Sequence, residues 1–246
     1  MKKIITKLIL LVSMPVLANT QHDVPVKGFA RSFISGSEIK DATITILETG
    51  QRIKTNAQGQ FGPFYYPIGK PLTLFLEKTG YHPTQSATVF VPSKGLINDD
   101  AQMTLQVPSR IAYYFLTQVI GANENPNSCH VATTITSFHK TLDDDRQGET
   151  GATLRLNGHP ISGTFYFNIF QDGWLKDKTN PFTKNLTKTT EDGGALIFNL
   201  EPREKLYVLS ANKAGVVFNQ VHFLCRRGVF INLSPPFGPS IIKVKR

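Results

Sequence analysis

Across residues 39–81, apolar and polar side chains alternate with a period of two, broken by turns that contain glycine. In Asp41-Ala-Thr-Ile-Thr-Ile-Leu47 the apolar Ala42, Ile44 and Ile46 alternate with Thr43 and Thr45, which predicts a strand with one buried face. Ala57-Gln58-Gly59 supplies a turn, since glycine takes positive φ without steric cost. Phe61 follows where a returning strand buries a ring. Leu72, Leu74 and Leu76 alternate with Thr73, Phe75 and Glu77, and Gly80-Tyr81 closes that strand ahead of Pro83, with the glycine as strand breaker.

The pattern recurs more loosely over residues 161–216. Thr189-Thr-Glu-Asp-Gly193 matches Thr55-Asn-Ala-Gln-Gly59, and Lys213-Ala-Gly215 matches Lys78-Thr-Gly80; the paired glycines are 21 positions apart in the first copy and 22 in the second. The second copy is expected to carry strands at 164–169, 195–200 and 206–211, with Val216 where the first copy has Tyr81. Further strands are expected at 129–136, 152–156, 221–225 and 228–233. Between the copies, the apolar run 108–120 reads as a continuous buried strand or a short helix. Tyr113, Tyr114 and Phe115 favour the strand, or an extended packed linker. With short strands throughout and no amphipathic helix standing out, the chain reads as all-β.

The strand D-A-T-I-T-I, the turn T-N-A-Q-G-Q-F, the strand over 72–76 and the closing K-T-G-Y-H-P resemble the carboxypeptidase regulatory-like domain, a transthyretin-like sandwich of about seven antiparallel strands. The resemblance covers roughly residues 24–107 and is weaker in the second copy. It implies two tandem transthyretin-like (Ig-like) antiparallel β-sandwich domains: an N-terminal one over 19–107, a linker over 108–128 and a C-terminal one over 129–246. Such domains act as spacers, chaperoning appendages and binding modules, so the fold does not carry an activity with it. The hydroxyisourate hydrolases share the transthyretin fold, but their C-terminal Tyr-Arg-Gly-Ser signature has no counterpart here.

Residues 1–18 are set apart from this pattern. Lys2, Lys3 and Lys7 precede an apolar run over 8–17 that ends at Ala18, the composition of a secretory signal peptide. Ten apolar residues interrupted by Pro15 are too few for a span, which takes about 20, and no cysteine follows Ala18 to carry a lipid. A mature chain starting near Asn19, periplasmic or secreted and without an integral membrane segment, is expected. Of 27 basic and 18 acidic residues in the full sequence, removal of the three leader lysines leaves 24 against 18, or +6. The basic residues are scattered and not interleaved with aromatics as in a nucleic-acid groove, so nucleic acid is not expected as a partner. A solvated cationic surface, or one drawn to anionic polysaccharide or lipid headgroups, fits this balance.

Candidate chemistry is sparse. Cys129 and Cys225 are the only cysteines, and in an exported chain an even count points to a disulfide; two buried thiols are the alternative. Asp143, Asp145 and Glu149 lie in a charged loop able to offer oxygens to calcium or magnesium. Leu154 stands where an EF-hand starting at Asp143 needs its bidentate glutamate. The six histidines are dispersed and no hydrolase, P-loop or dinucleotide motif appears. No cofactor is expected. Trp174, the single tryptophan, sits among polar neighbours in a long insertion, where a ring can meet a ligand. The rings of Phe61-Gly-Pro-Phe-Tyr-Tyr66 fit a core better. The sequence thus points to an exported, non-enzymatic binding protein for a protein or glycan partner. One alternative is a hydrolase whose site is assembled between domains from His130, His139, His222 and the Asp143 loop. The other is a periplasmic scaffold or assembly factor that offers an unpaired edge strand to a partner.

Overall fold

The computed structural model describes residues 22–33, 35–98 and 101–244; the leader expected over 1–18 lies outside the described residues. The first copy contains β1 (Asp23–Ser32), β2 (Thr43–Ile46), β3 (Arg52–Lys54), β4 (Gln60–Pro67), β5 (Pro71–Glu77), β6 (Thr84–Phe90) and β7 (Met103–Val107). A sheet ordered β4-β1-β7 packs on strands that pair in the order β3-β2-β5-β6. Between them Ile44, Ile46, Leu72, Leu74 and Leu76 are fully buried beside Phe61 and Leu105. The alternation of the sequence places these side chains on one face of each strand. β4 pairs only with β1, and its free edge carries Pro63 and Pro67. Proline cannot extend a ladder, so this edge is blunted against strand addition.

The second copy repeats the order. It contains β8 (Cys129–Thr134), β9 (Thr153–Leu156), β10 (His159–Pro160), β14 (Gly194–Leu200), β15 (Tyr207–Asn212), β17 (Val221–Phe223) and β18 (Phe230–Leu233). Pairing runs β14-β8-β18 and β10-β9-β15-β17, which reproduces β4-β1-β7 and β3-β2-β5-β6 strand for strand. Between these strands both copies are antiparallel except at one corresponding place: β7 lies parallel to β1, and β18 parallel to β8.

The likeness extends to single hydrogen bonds. The Thr55 hydroxyl accepts the N–H of Ala42 at 2.8 Å and donates to Ile39 O at 2.6 Å. The Thr189 hydroxyl accepts the N–H of Ala152 at 2.9 Å and donates to Glu149 O. Gly59 and Gly193 have φ of 70° and 74°, and a Cβ on either would stand 2.6 Å from a carbonyl, that of Ala30 or of Ile135. Both positions therefore require glycine, for the backbone conformation and for the close approach.

This register corrects the expected strand assignment. The counterpart of β2 is β9, not residues 164–169, which form instead two short pieces, β11 (Phe165–Tyr166) and β12 (Asn168–Ile169). Ala42 and Gly59 are 17 positions apart but Ala152 and Gly193 are 41 apart, so the second copy holds 24 extra residues. These carry β11, β12 and β13 (Thr179–Asn180). The pair β16 (Val216–Phe218) and β19 (Ile241–Val244) completes the copy.

A second correction concerns 108–120. Residues Arg110–Ile120 form helix α1, not a strand. The Ser109 side chain accepts the N–H of Ala112 at its start, and Gly121 at φ 66° donates to Gln118 O at its end. A polar cap and a left-handed terminal glycine outweigh the weak β preference of the aromatics.

The two copies are interlocked through β6. One edge of this strand pairs with β5; the other is shared by β17, at His222 and Thr88, and by β18, at Phe230 with Thr84 and Ile231 with Gln85. Ala87, on a strand of the first copy, belongs to the core of the second, and Phe237 touches both cores.

Candidate recognition face

The outer face of β14-β8-β18 is covered by α1. Tyr113 and Thr117 are buried there, and Tyr113 packs with Ala132, Leu196, Phe230 and Phe167 while Leu116 and Ile120 close the margin. The Tyr113 hydroxyl donates to Glu124 at 3.0 Å. Glu124 Oε1 also lies 3.4 Å from Nε2 of His130 without a well-directed hydrogen bond. The Nδ1 of His130 accepts the N–H of Asn199 at 3.2 Å, which leaves the proton of the neutral ring on the nitrogen facing Glu124. Burial holds the pKa of His130 below its ordinary value, despite the attraction of Glu124, and burial likewise lowers that of His82, whose ring centroid is 4.1 Å from that of Tyr113. The Tyr113 hydroxyl is pushed up by burial and by the neighbouring carboxylate. This cluster fixes the helix to the sheet.

With one side so fixed, the other side of α1 is bare. Ile111, Tyr114 and Phe115, spaced at i, i+3 and i+4, are 83 %, 66 % and 58 % exposed. The ring of Phe115 lies 6.5 Å from that of Phe182, and Phe182 lies 6.3 Å from Phe170. Phe170 stands on the hairpin of the insertion, whose arms are β12 and β13 and whose turn presents Trp174, 92 % exposed. A cleft of about 350 Å3 between the end of α1, β11 and residues 181–186 borders this face.

The hairpin is held at its base. Thr179 donates to Asp192 at 2.6 Å, and Asp192 accepts the N–H of Gly194. Burial raises the pKa of Asp192. Arg146 makes two hydrogen bonds to Asp177, at 3.0 and 2.8 Å, and one to Glu191 at 2.8 Å. Lys178 pairs with Asp145 at 3.4 Å. Part of the charged loop singled out in the sequence therefore serves to staple the hairpin.

The other sequence candidates stand apart. Asp143 pairs with Arg31 at 3.3 Å, and Glu149 accepts Ser137 at 2.6 Å and pairs with Lys213, so the oxygens of Asp143, Asp145 and Glu149 point to three different cations. Among the described residues no cluster of three or more His, Cys, Asp or Glu is placed to hold a metal ion. Cys129 and Cys225 form a disulfide, with Cα atoms 5.6 Å apart and both side chains buried. His130 is buried beneath α1, whereas His139 and His222 line two different clefts. Phe61, Phe64 and Tyr66 are in the first core, and Tyr65 faces solvent. The sequence reading missed Ile111, Tyr114, Phe115 and Phe182 as surface residues. The signal for the first three was Ser109 before the apolar run and Gly121 after it, a start and stop that mark a helix.

No family model matches the chain, and no curated protein matches it. Among solved structures, the TIE protein of Bacillus anthracis is 16 % identical over 86 % of this chain and 33 % of its own, at a TM-score of 0.27. A streptococcal ancillary pilin is 11 % identical over 91 % of this chain and 63 % of its own, at 0.24. The minor pilin of Streptococcus agalactiae is 9 % identical over 91 % and 98 %, at 0.27. The chain thus spans about a third of the first and less than two thirds of the second. At these TM-scores the likeness carries no functional argument. Among the described residues no helix is long and apolar enough to cross a membrane.

Proposed function

We propose that the chain is an exported, non-enzymatic recognition module that uses the bare side of α1 and the inserted hairpin to hold a partner at a cell surface. The single observation that carries this is the row of rings from the exposed Tyr114, Phe115 and Phe182, through the half-buried Phe170, to the exposed Trp174 of the hairpin. Those rings stand on elements fixed by buried anchors, so the ordering cost of presenting them is met before any partner arrives. They are also found where the second copy departs from the first, in the connecting helix and the 24-residue insertion. The repeated strand order supports a carboxypeptidase regulatory-like assignment for both copies, divided at 19–107, 108–128 and 129–246; the composition of residues 1–18 supports a leader that is removed on export.

Sedimentation of the mature chain with intact cells and with isolated envelopes tests this reading. Wild-type protein is expected in the pellet, and Trp174→Ala combined with Tyr114→Ser and Phe115→Ser in the supernatant. Equal retention of the triple variant would move the site elsewhere.

A further inference from the structure

Resting on that recognition face, we infer that its partner is an anionic lipid surface, met by insertion of the exposed rings into the headgroup layer. Helix α1, Arg-Ile-Ala-Tyr-Tyr-Phe-Leu-Thr-Gln-Val-Ile, has no acidic residue and a single charge, Arg110, at its start. Its solvent side carries Ile111, Tyr114 and Phe115 beside Arg110 and Gln118, an apolar stripe that the sheet leaves uncovered.

The exposed side chains project; they do not line a groove. Trp174 and Ile111 stand 92 % and 83 % free of the protein. A rigid protein partner would need a separate pocket for each. The boundary between headgroups and acyl chains deforms around single protruding Trp, Tyr, Phe and Ile residues, and such surfaces carry lysines beside the rings.

The charges fit. In the stretch that holds Trp174 and Phe182, Lys176, Lys184 and Lys188 are exposed and, among the described residues, make no ion pair. The acidic Asp177 of the same stretch shares Arg146 with Glu191, so one carboxylate charge of that trio is left over beside Asp172, and the three lysines outnumber the two. Free cations next to free rings on one lobe attract a negative headgroup layer and then anchor in it.

Trp174 is the only tryptophan in the sequence, so its emission reports on this contact without a label. The mature chain is titrated with phosphatidylcholine vesicles that contain phosphatidylglycerol, and with vesicles of phosphatidylcholine alone. A blue shift of the emission with co-sedimentation is expected for the first, reversed by added salt, and neither for the second. Lys176→Glu with Lys184→Glu should weaken binding by about fivefold or more for each charge lost. Tyr114→Ser with Phe115→Ser should weaken it by about tenfold while leaving Trp174 as reporter. These residues are exposed, so melting curves of the variants should match wild type and show that folding is intact.

Sedimentation without a shift of Trp174 emission overturns insertion. Absence of vesicle binding, together with retention on cells that the ring substitutions abolish, overturns the lipid as partner and leaves the recognition face, now for a protein or glycan. Absence of both overturns the face as well.

Discussion

Glu124 Oε1 stands 3.4 Å from Nε2 of His130, at the point where the chain leaves α1 and enters the second sandwich. The imidazole is 1 % exposed and the carboxylate side chain 35 %. The pair is thus asymmetric: the acid keeps part of its water while the base has lost its own. Desolvation outweighs attraction, and His130 is neutral in the fold.

Stability should therefore fall on acidification. Free histidine titrates near 6.5; His130 and His82 titrate lower in the fold because of burial. The unfolded chain takes up these protons first, so stability is level above about pH 6.5 and declines below it. Glu124 opposes this decline at both rings, and Arg110 reinforces it at His82. Asp192, raised by burial, acts with the opposite sign. Melting temperatures of wild type and His130→Gln across pH 7 to 5, a window set by the histidine value, check this: the variant should lose less stability over the interval than the wild type does.

Thr55 and Thr189 bond the backbone in the same way in the two copies, each accepting from an alanine N–H and donating to a carbonyl three residues earlier. Replacement of either by valine keeps the shape and strands a buried N–H and a buried C=O. A loss of about 1–3 kcal/mol is expected at each site, measured by urea unfolding, and of similar size at both.

The disulfide joins β8 to the segment after β17 across 96 positions. Closing a loop of that length contributes about 4–5 kcal/mol in the chain-entropy account. Cys129→Ala with Cys225→Ala should lower the urea midpoint accordingly. Because both sulfurs are buried, reduction of the wild type should require prior unfolding, seen as protection from dithiothreitol in buffer and its loss in urea.

Ala87 lies on β6, yet its methyl is in the second core. Ala87→Asp places a carboxylate in the second core from a strand of the first copy, a change expected to cost several kcal/mol. Because β6 serves both copies, calorimetry of the wild type should show one unfolding transition and the variant a single lower one. Two resolved transitions in the wild type would show the copies to be independent.

What was legible in the sequence was local. The strand around Ile44 and Ile46 and the turns ending at Gly59 and Gly193 declare themselves through period and backbone demand, and the structure has them where expected. The counterpart of β2 was in plain view as Ala152-Thr-Leu-Arg-Leu156 against Ala42-Thr-Ile-Thr-Ile46. The insertion sets it far from its turn, and that distance hides the correspondence. The helix is decided by the ends of its apolar run, Ser109 and Gly121, and not by the run itself. Trp174 stood out through its polar neighbours, but the exposure of Tyr114 and Phe115 depends on how α1 lies on the sheet, which no local pattern encodes. The pairing of β6 with β17 and β18 joins residues more than a hundred positions apart and leaves no mark on either segment.

That shared strand sets how the molecule bears load. A chain pulled between its first lobe and an anchored hairpin cannot swivel at a free joint, because the tension reaches β6 and must slide it past β17 and β18 together. The ladder bonds and the ring of Phe237 resist as a group, so the lobes should yield abruptly and in concert, not by gradual reorientation.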